Sequence, residues 1–143
     1  MNDLINLFMM FINKVPSFGK SFICIDDKNN KNLLKKIKIK NFYTYGVNIK
    51  SQFRIKNIKQ AKDFSEYDLI INLPGKKNIV IKKIRIPLLG IHNVLNSTAA
   101  VAVALTIGIS KNVIKSGLKE FKGVQRRFNK IFTHRETRSF KWS

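Results

Sequence analysis

The sequence holds 143 residues, 44% of them apolar, with one cysteine and a formal charge of +20. That length supports one domain with its own core, and a lone Cys24 excludes an internal disulfide or a cysteine-built zinc site. The charge attracts anions at long range, but it comes from lysine spread among Ile, Asn and Phe, the mixture AT-rich codons produce, so it selects no partner by itself.

A reducing, cytoplasmic setting is the simplest fit to the free cysteine. The apolar run at residues 4–12 has the look of a signal h-region, but it lacks a basic flank and a small-residue cleavage site. It is also too short to cross a bilayer. It is read as part of an amphipathic helix, residues 3–14, that packs on a core and stops before Pro16.

Residues 21–25 form a strand-type run closed by Asp26 and Asp27. Adjacent carboxylates can hold a metal or cap a helix, and with no other ligand cluster in view they are read as capping a helix over 30–39. Residues 41–45 are aromatic and β-branched, hence a strand, with Gly46 as its stop. In 52–58, Phe53, Ile55 and Ile58 oppose Arg54, Lys56 and Lys59, a half-buried strand pattern. Strands over 67–73 and 78–86 flank the turn dipeptide Pro74-Gly75.

Together these predict an antiparallel meander with a lysine-rich solvated face. A basic, aromatic-bearing face could also bind single-stranded nucleic acid, so a small nucleic-acid-binding protein is carried as an alternative function. Gly75-Lys76 does not make a phosphate loop, because the earlier glycine and the hydroxyl of G-x-x-x-x-G-K-[ST] are missing.

The chain is organised around G-I-H-N-V-L-N-S-T-A-A-V-A-V-A-L, residues 90–105, which joins an extended apolar run to a helix apolar on nearly every side. Asn93 and Asn96 sit three apart and share a helix face, with His92 just ahead at the N-cap boundary. The pattern fits two jobs. The amides could cap the helix or tie down a loop. They could equally read a base edge or a ribose at a helix mouth that favours anions and acceptors.

Gly108 then breaks the pattern, and Ser110 caps a helix over 111–121 with Val113, Ile114, Leu118 and Phe121 on one face. After Gly123 comes G-V-Q-R-R-F, whose arginines Arg126 and Arg127 suit phosphate or carboxylate by their forked donors, or form a solvated charge pair. A strand-like F-N-K-I-F follows, and then a tail, 133–143, with little to pack.

G-I-H-N-V-L-N-S-T-A-A, the helix pair that follows it and F-K-G-V-Q-R-R-F together resemble the Mur ligases of peptidoglycan synthesis. F-I-N-K-V-P-S-F-G-K and F-I-C-I-D-D near the start look like the same family's central, ATP-binding domain. The resemblance implies an α/β fold: a partial central domain over residues 1–132, with a mixed sheet, an antiparallel portion and packed helices, and a divergent, disordered tail over 133–143. It implies ATP as cofactor, with His92, Asn93 and Asn96 at the adenine and Arg127 on the nucleotide; Arg126 is the alternative to Arg127.

Within the family the nearer pattern is that of the members joining L-alanine to UDP-N-acetylmuramate through an acyl-phosphate. Members that reattach a recycled murein tripeptide share much of it. The sequence departs from the family in lacking G-T-x-G-K-[ST], the glutamate and histidine that hold Mg²⁺, and the carbamylated lysine. T-H-R-E-T-R-S-F-K-W-S stands where the family has D-D-Y-A-H-H-P, which points to a frameshifted or shortened gene product with Met1 an internal start. A fragment of this kind is expected to be inactive alone.

Overall fold

The structure is a computed structural model and describes residues 2–38 and 41–123. The expectations for Arg126, Arg127, the strand-like run after them and the tail lie outside the described residues. Helix α1 (Asn2–Asn13) leads into β1 (Ser21–Cys24), α2 (Lys28–Leu34), β2 (Phe42–Gly46), β3 (Phe53–Gln60), β4 (Ser65–Ile71) and β5 (Ile79–Ile86), then α3 (Ile91–Thr106) and α4 (Lys111–Lys119). The strands form one sheet in the order β1-β2-β3-β4-β5. Its first two pairings are parallel, its last two antiparallel. It is the mixed α/β sheet that the family resemblance implies.

Local chemistry explains the joins. Asp27 caps α2, its Oδ1 accepting from the N–H groups of Asn29 at 2.7 Å and Asn30 at 3.1 Å. The cap sets the start two residues earlier than expected. The helix also ends earlier than expected, closing in a tightened turn in which Lys35 N–H bonds to Asn32 O at 3.2 Å and Lys36 N–H to Leu33 O at 3.0 Å. Asp26 does a different job: its carboxylate accepts from the N–H groups of Val47 and Asn48, at 2.8 and 2.9 Å.

Beyond that clamp, Thr44 and Gln52 bond reciprocally, Thr44 N–H to Gln52 Oε1 at 2.9 Å and Gln52 N–H to Thr44 Oγ1 at 3.0 Å. These bonds let β2 and β3 run parallel across a short loop, where a crossover helix is usual.

The main core lies on one sheet face. Phe53, Ile55, Tyr67, Leu69, Ile81, Ile84 and Ile86 pack there with Val94, Val101 and Ala102 of α3 and Ile114 of α4. Phe22, Tyr43 and Phe53 extend it with ring centroids 5.9–6.4 Å apart. On the alternate positions of β1 and just beyond it, Ile23 and Ile25 are buried, as is Leu33 of the neighbouring α2.

Simple alternation fails in the antiparallel half, where β3 and β5 each bulge against β4. Lys56 pairs with Asp68 and Lys59 with Glu66, three residues against two; Ile81 pairs with Leu69 and Ile84 with Tyr67 in the same ratio. The extra residue explains why Ile81 and Ile84, three apart, both face the core. Asn57 and Lys83, both at φ 54°, supply the left-handed turns. Asp68 between them accepts from Asn57 Nδ2 and from Lys83 N–H, each at 2.8 Å.

Two helix faces differ from expectation. Helix α1 packs against α2 but leaves Leu4, Leu7, Phe8, Met10 and Phe11 exposed, so only one of its sides is covered among the described residues. In α4, Ile114 is buried while Val113 is exposed, because adjacent residues on a helix lie about 100° apart. Among the described residues no helix is long and apolar enough to cross a membrane.

Candidate functional site

The turn from β5 into α3 is held by three side chains from different elements. Ser65 Oγ donates to Leu88 O at 2.6 Å, Asn93 Nδ2 donates to Leu89 O at 2.7 Å, and Gly90 N–H donates to Gln60 Oε1 at 3.3 Å. Gly90 is the N-cap at φ 98°, a conformation that glycine reaches without strain, and no side chain caps the helix. The first backbone N–H groups of α3 therefore keep the donor capacity typical of a helix mouth. Asn93 is not a cap: its amide nitrogen faces an acceptor, and among the described residues its Oδ1 has no partner.

A cleft of about 620 Å³ opens beside this mouth, within the size range of small-molecule sites. One wall is the i, i+3, i+4, i+7 face of α3: Asn93, Asn96, Ser97 and Ala100. Ile86 and Leu88 form the apolar floor at the end of β5, and Leu118, Phe121, Lys122 and Gly123 close the far side. The result is an apolar slot with amides and a hydroxyl along one edge and a lysine at the rim. Flat, partly polar ligands fit such a shape.

Of the residues singled out in the sequence, Asn93 and Asn96 come together here. His92 is exposed and stands outside the lining, one residue around the helix. Arg126 and Arg127 lie outside the described residues. Ser97 and Lys122 were missed; the spacing of Ser97, four after Asn93, was the available signal.

Behind Ser97 stands Tyr67 of β4, fully buried, with its hydroxyl 2.7 Å from Ser97 Oγ. Burial pushes the Tyr67 phenol above the usual tyrosine range, and hydrogen bonds with the Ser97 and Thr98 hydroxyls offset only part of this. It stays protonated. Elsewhere Pro74-Gly75 forms the turn between β4 and β5, with Lys76 N–H bonded to Leu73 O at 3.2 Å. Among the described residues no three or more His, Cys, Asp or Glu side chains gather as a metal site.

Known proteins resemble this chain over most of its length. The profile of the Mur ligase middle domain matches residues 1–104. A UDP-N-acetylmuramate–L-alanine ligase of Pelagibacter ubique (strain HTCC1062) is 77% identical over 137 residues, 96% of this chain and 30% of that protein. The enzyme of the same name in Caulobacter sp. (strain K31) is 34% identical over 121 residues, 85% of this chain and 26% of that protein. The chain thus spans about 30% of the length of the nearer of these two relatives.

Among solved structures, the UDP-N-acetylmuramoylalanyl-D-glutamyl-2,6-diaminopimelate–D-alanyl-D-alanyl ligase of Acinetobacter baumannii superposes with a TM-score of 0.68 at 23% identity. It covers 92% of this chain and 28% of its own. That likeness carries the fold. None of these matches lends support to a nucleic-acid-binding role. The mixed sheet and the profile match lead to one conclusion: the chain belongs to the Mur ligase family, through its middle domain.

Proposed function

We propose that this chain forms the base-binding side of an ATP-dependent ligase that joins L-alanine to UDP-N-acetylmuramate in peptidoglycan synthesis. The observation that carries this reading is that Asn93 and Asn96 line one cleft with an apolar floor, in a chain 77% identical to a relative of that name. ATP, when bound, supplies the phosphoryl group that activates the muramate carboxylate.

The chain's own residues are read on the base side of that chemistry. Asn93 and Asn96 address the edge of adenine, while Ile86, Leu88 and Phe121 exclude water from its faces. Lys122 and Arg127 meet the phosphates, lysine as a point charge and arginine as a fork. His92 flanks the helix mouth. The 143 residues contain no G-x-x-x-x-G-K-[ST] run, so the phosphate loop is assigned to other parts of the ligase, and Mg²⁺ with it.

A charge of +20 makes any nucleotide adhere weakly, so the test starts from the uncharged probe adenosine. The expected result is saturable binding, seen as shifts of the Asn93 and Asn96 side-chain amides in an NMR titration. Arg127→Ala is expected to weaken ADP about tenfold, the worth of one charge-assisted bond, and to leave adenosine unchanged. Absence of saturable adenosine binding would refute the assignment.

A further inference from the structure

Ser97 is a buried polar residue in the lining of the cleft. Its hydroxyl lies 2.8 Å from Val94 O and 2.7 Å from the Tyr67 hydroxyl. Val94 O can only accept. If Ser97 donates to it, Tyr67 must donate to Ser97; if Ser97 instead donates to Tyr67, its proton is spent there. Either way the single hydroxyl proton is used inside the protein, and what Ser97 has left to offer a ligand is a lone pair.

Thr98 Oγ1 donates to the same Val94 carbonyl at 2.8 Å, so that acceptor is shared by two hydroxyls. One helical turn away, Asn93 has an amide nitrogen engaged by Leu89 O at 2.7 Å, so its oxygen is a second acceptor on the same face.

We propose that Ser97 is a specificity-determining residue: with its proton held inward, it offers the cleft an acceptor only, and so selects a base bearing an exocyclic amine over one bearing a carbonyl there. Tyr67 is the positioning residue that keeps the hydroxyl in this state. The inference rests on the adenine reading of the same cleft and deepens it by naming what the cleft rejects. A 6-amino purine donates to Ser97. A 6-oxo purine opposes lone pair to lone pair, leaving buried groups unpaired.

The test compares adenosine with inosine, both uncharged, by NMR titration of the wild-type chain and of Ser97→Ala, Tyr67→Phe and the double variant Tyr67→Phe/Ser97→Ala. The double variant removes both hydroxyls and so avoids stranding a buried phenol. The wild type is expected to prefer adenosine by about tenfold. Ser97→Ala and the double variant are expected to reduce that ratio at least about threefold, chiefly through tighter inosine binding. Tyr67→Phe takes away the second partner of the Ser97 hydroxyl and lets it turn from Val94 O toward a ligand, and is expected to reduce the ratio in the same direction.

A wild type that binds both nucleosides equally, or variants that keep the wild-type ratio, would overturn the role of Ser97 and leave the adenine assignment standing. Binding of neither nucleoside would overturn both.

Discussion

The Asp26 carboxylate fills the space that a side chain on Gly46 would need: a Cβ built there lies 2.7 Å from Asp26 Cγ. Gly46 also holds φ at 146°, outside what L side chains readily adopt. The two residues therefore form one joint, at which the end of β2 is pressed onto the turn after β1. Gly46→Ala is expected to cost about 3 kcal/mol, from strain and overpacking together. Urea unfolding with an unchanged m-value would measure it. A loss under about 0.5 kcal/mol would mean the carboxylate moves aside freely.

Asp26 is expected to matter through the backbone it clamps. Asp26→Ala leaves the N–H groups of Val47 and Asn48 without their acceptor and is expected to cost about 1–2 kcal/mol. Hydrogen exchange at these two amides should speed up while exchange within β4 and β5 stays unchanged. Equal acceleration everywhere would show global destabilisation instead of a local clamp.

Asp68 gives a pH signature. The Asn57 amide, and then the Lys83 N–H, hold its carboxyl below the usual carboxylate range. A depressed folded value means that Asp68 contributes stability above its unfolded pKa of about 3.9 and loses it as pH falls through the lower folded value. Asp68 is only half-buried, so solvent screening keeps the contribution under about 1 kcal/mol. Thermal melts between about pH 5 and pH 2 should show the wild type losing more stability than Asp68→Asn. Parallel curves would disprove the coupling.

The core predicts a contrast between two aliphatic residues. Ile84 is fully buried between sheet and helix, whereas Val103 on α3 is 43% exposed. Ile84→Ala is expected to cost about 2–5 kcal/mol through transfer and cavity terms, and Val103→Ala under about 1 kcal/mol. Denaturant midpoints would rank them, and similar losses would mean that the far side of α3 is covered.

In the cleft, Asn93→Ala is expected to weaken adenosine about tenfold and to loosen the turn it holds through Leu89 O. His92→Ala, exposed and off the lining, is expected to change adenosine binding less than about twofold. Calorimetric titration would separate them. A larger effect from His92 would relocate the base toward the helix mouth.

Much of this fold was legible because its signals are local. Asp27 before α2, Ser110 before α4, Pro74-Gly75 between β4 and β5, and the i, i+3 spacing of Asn93 and Asn96 each announce their place through short-range chemistry. What stayed hidden depends on partners distant in sequence. The parallel pairing of β2 and β3 needs Asp26 and the Thr44–Gln52 exchange, 21 and eight residues apart in the chain respectively.

The paired bulges could have been read from apolar residues three apart in both strands, Ile55 to Ile58 and Ile81 to Ile84, where strict alternation has no place for them. Ser97 was hidden for another reason: a serine inside an Ala-rich helix looks like packing until Tyr67, 30 residues earlier, is seen behind it.

The bulge in β5 reaches further than register. Among the described residues strand β5 is the outer member at its end of the sheet, and its left-handed Lys83 sits beside Lys82 along that border. A strand arriving from another molecule meets a kinked row of donors and acceptors and like charges from a chain as basic as itself. A border of that kind is a poor template for self-association. The opposite border among the described residues, β1, carries no irregularity in its pairing with β2, so a strand added there would join the side where the strands already run parallel.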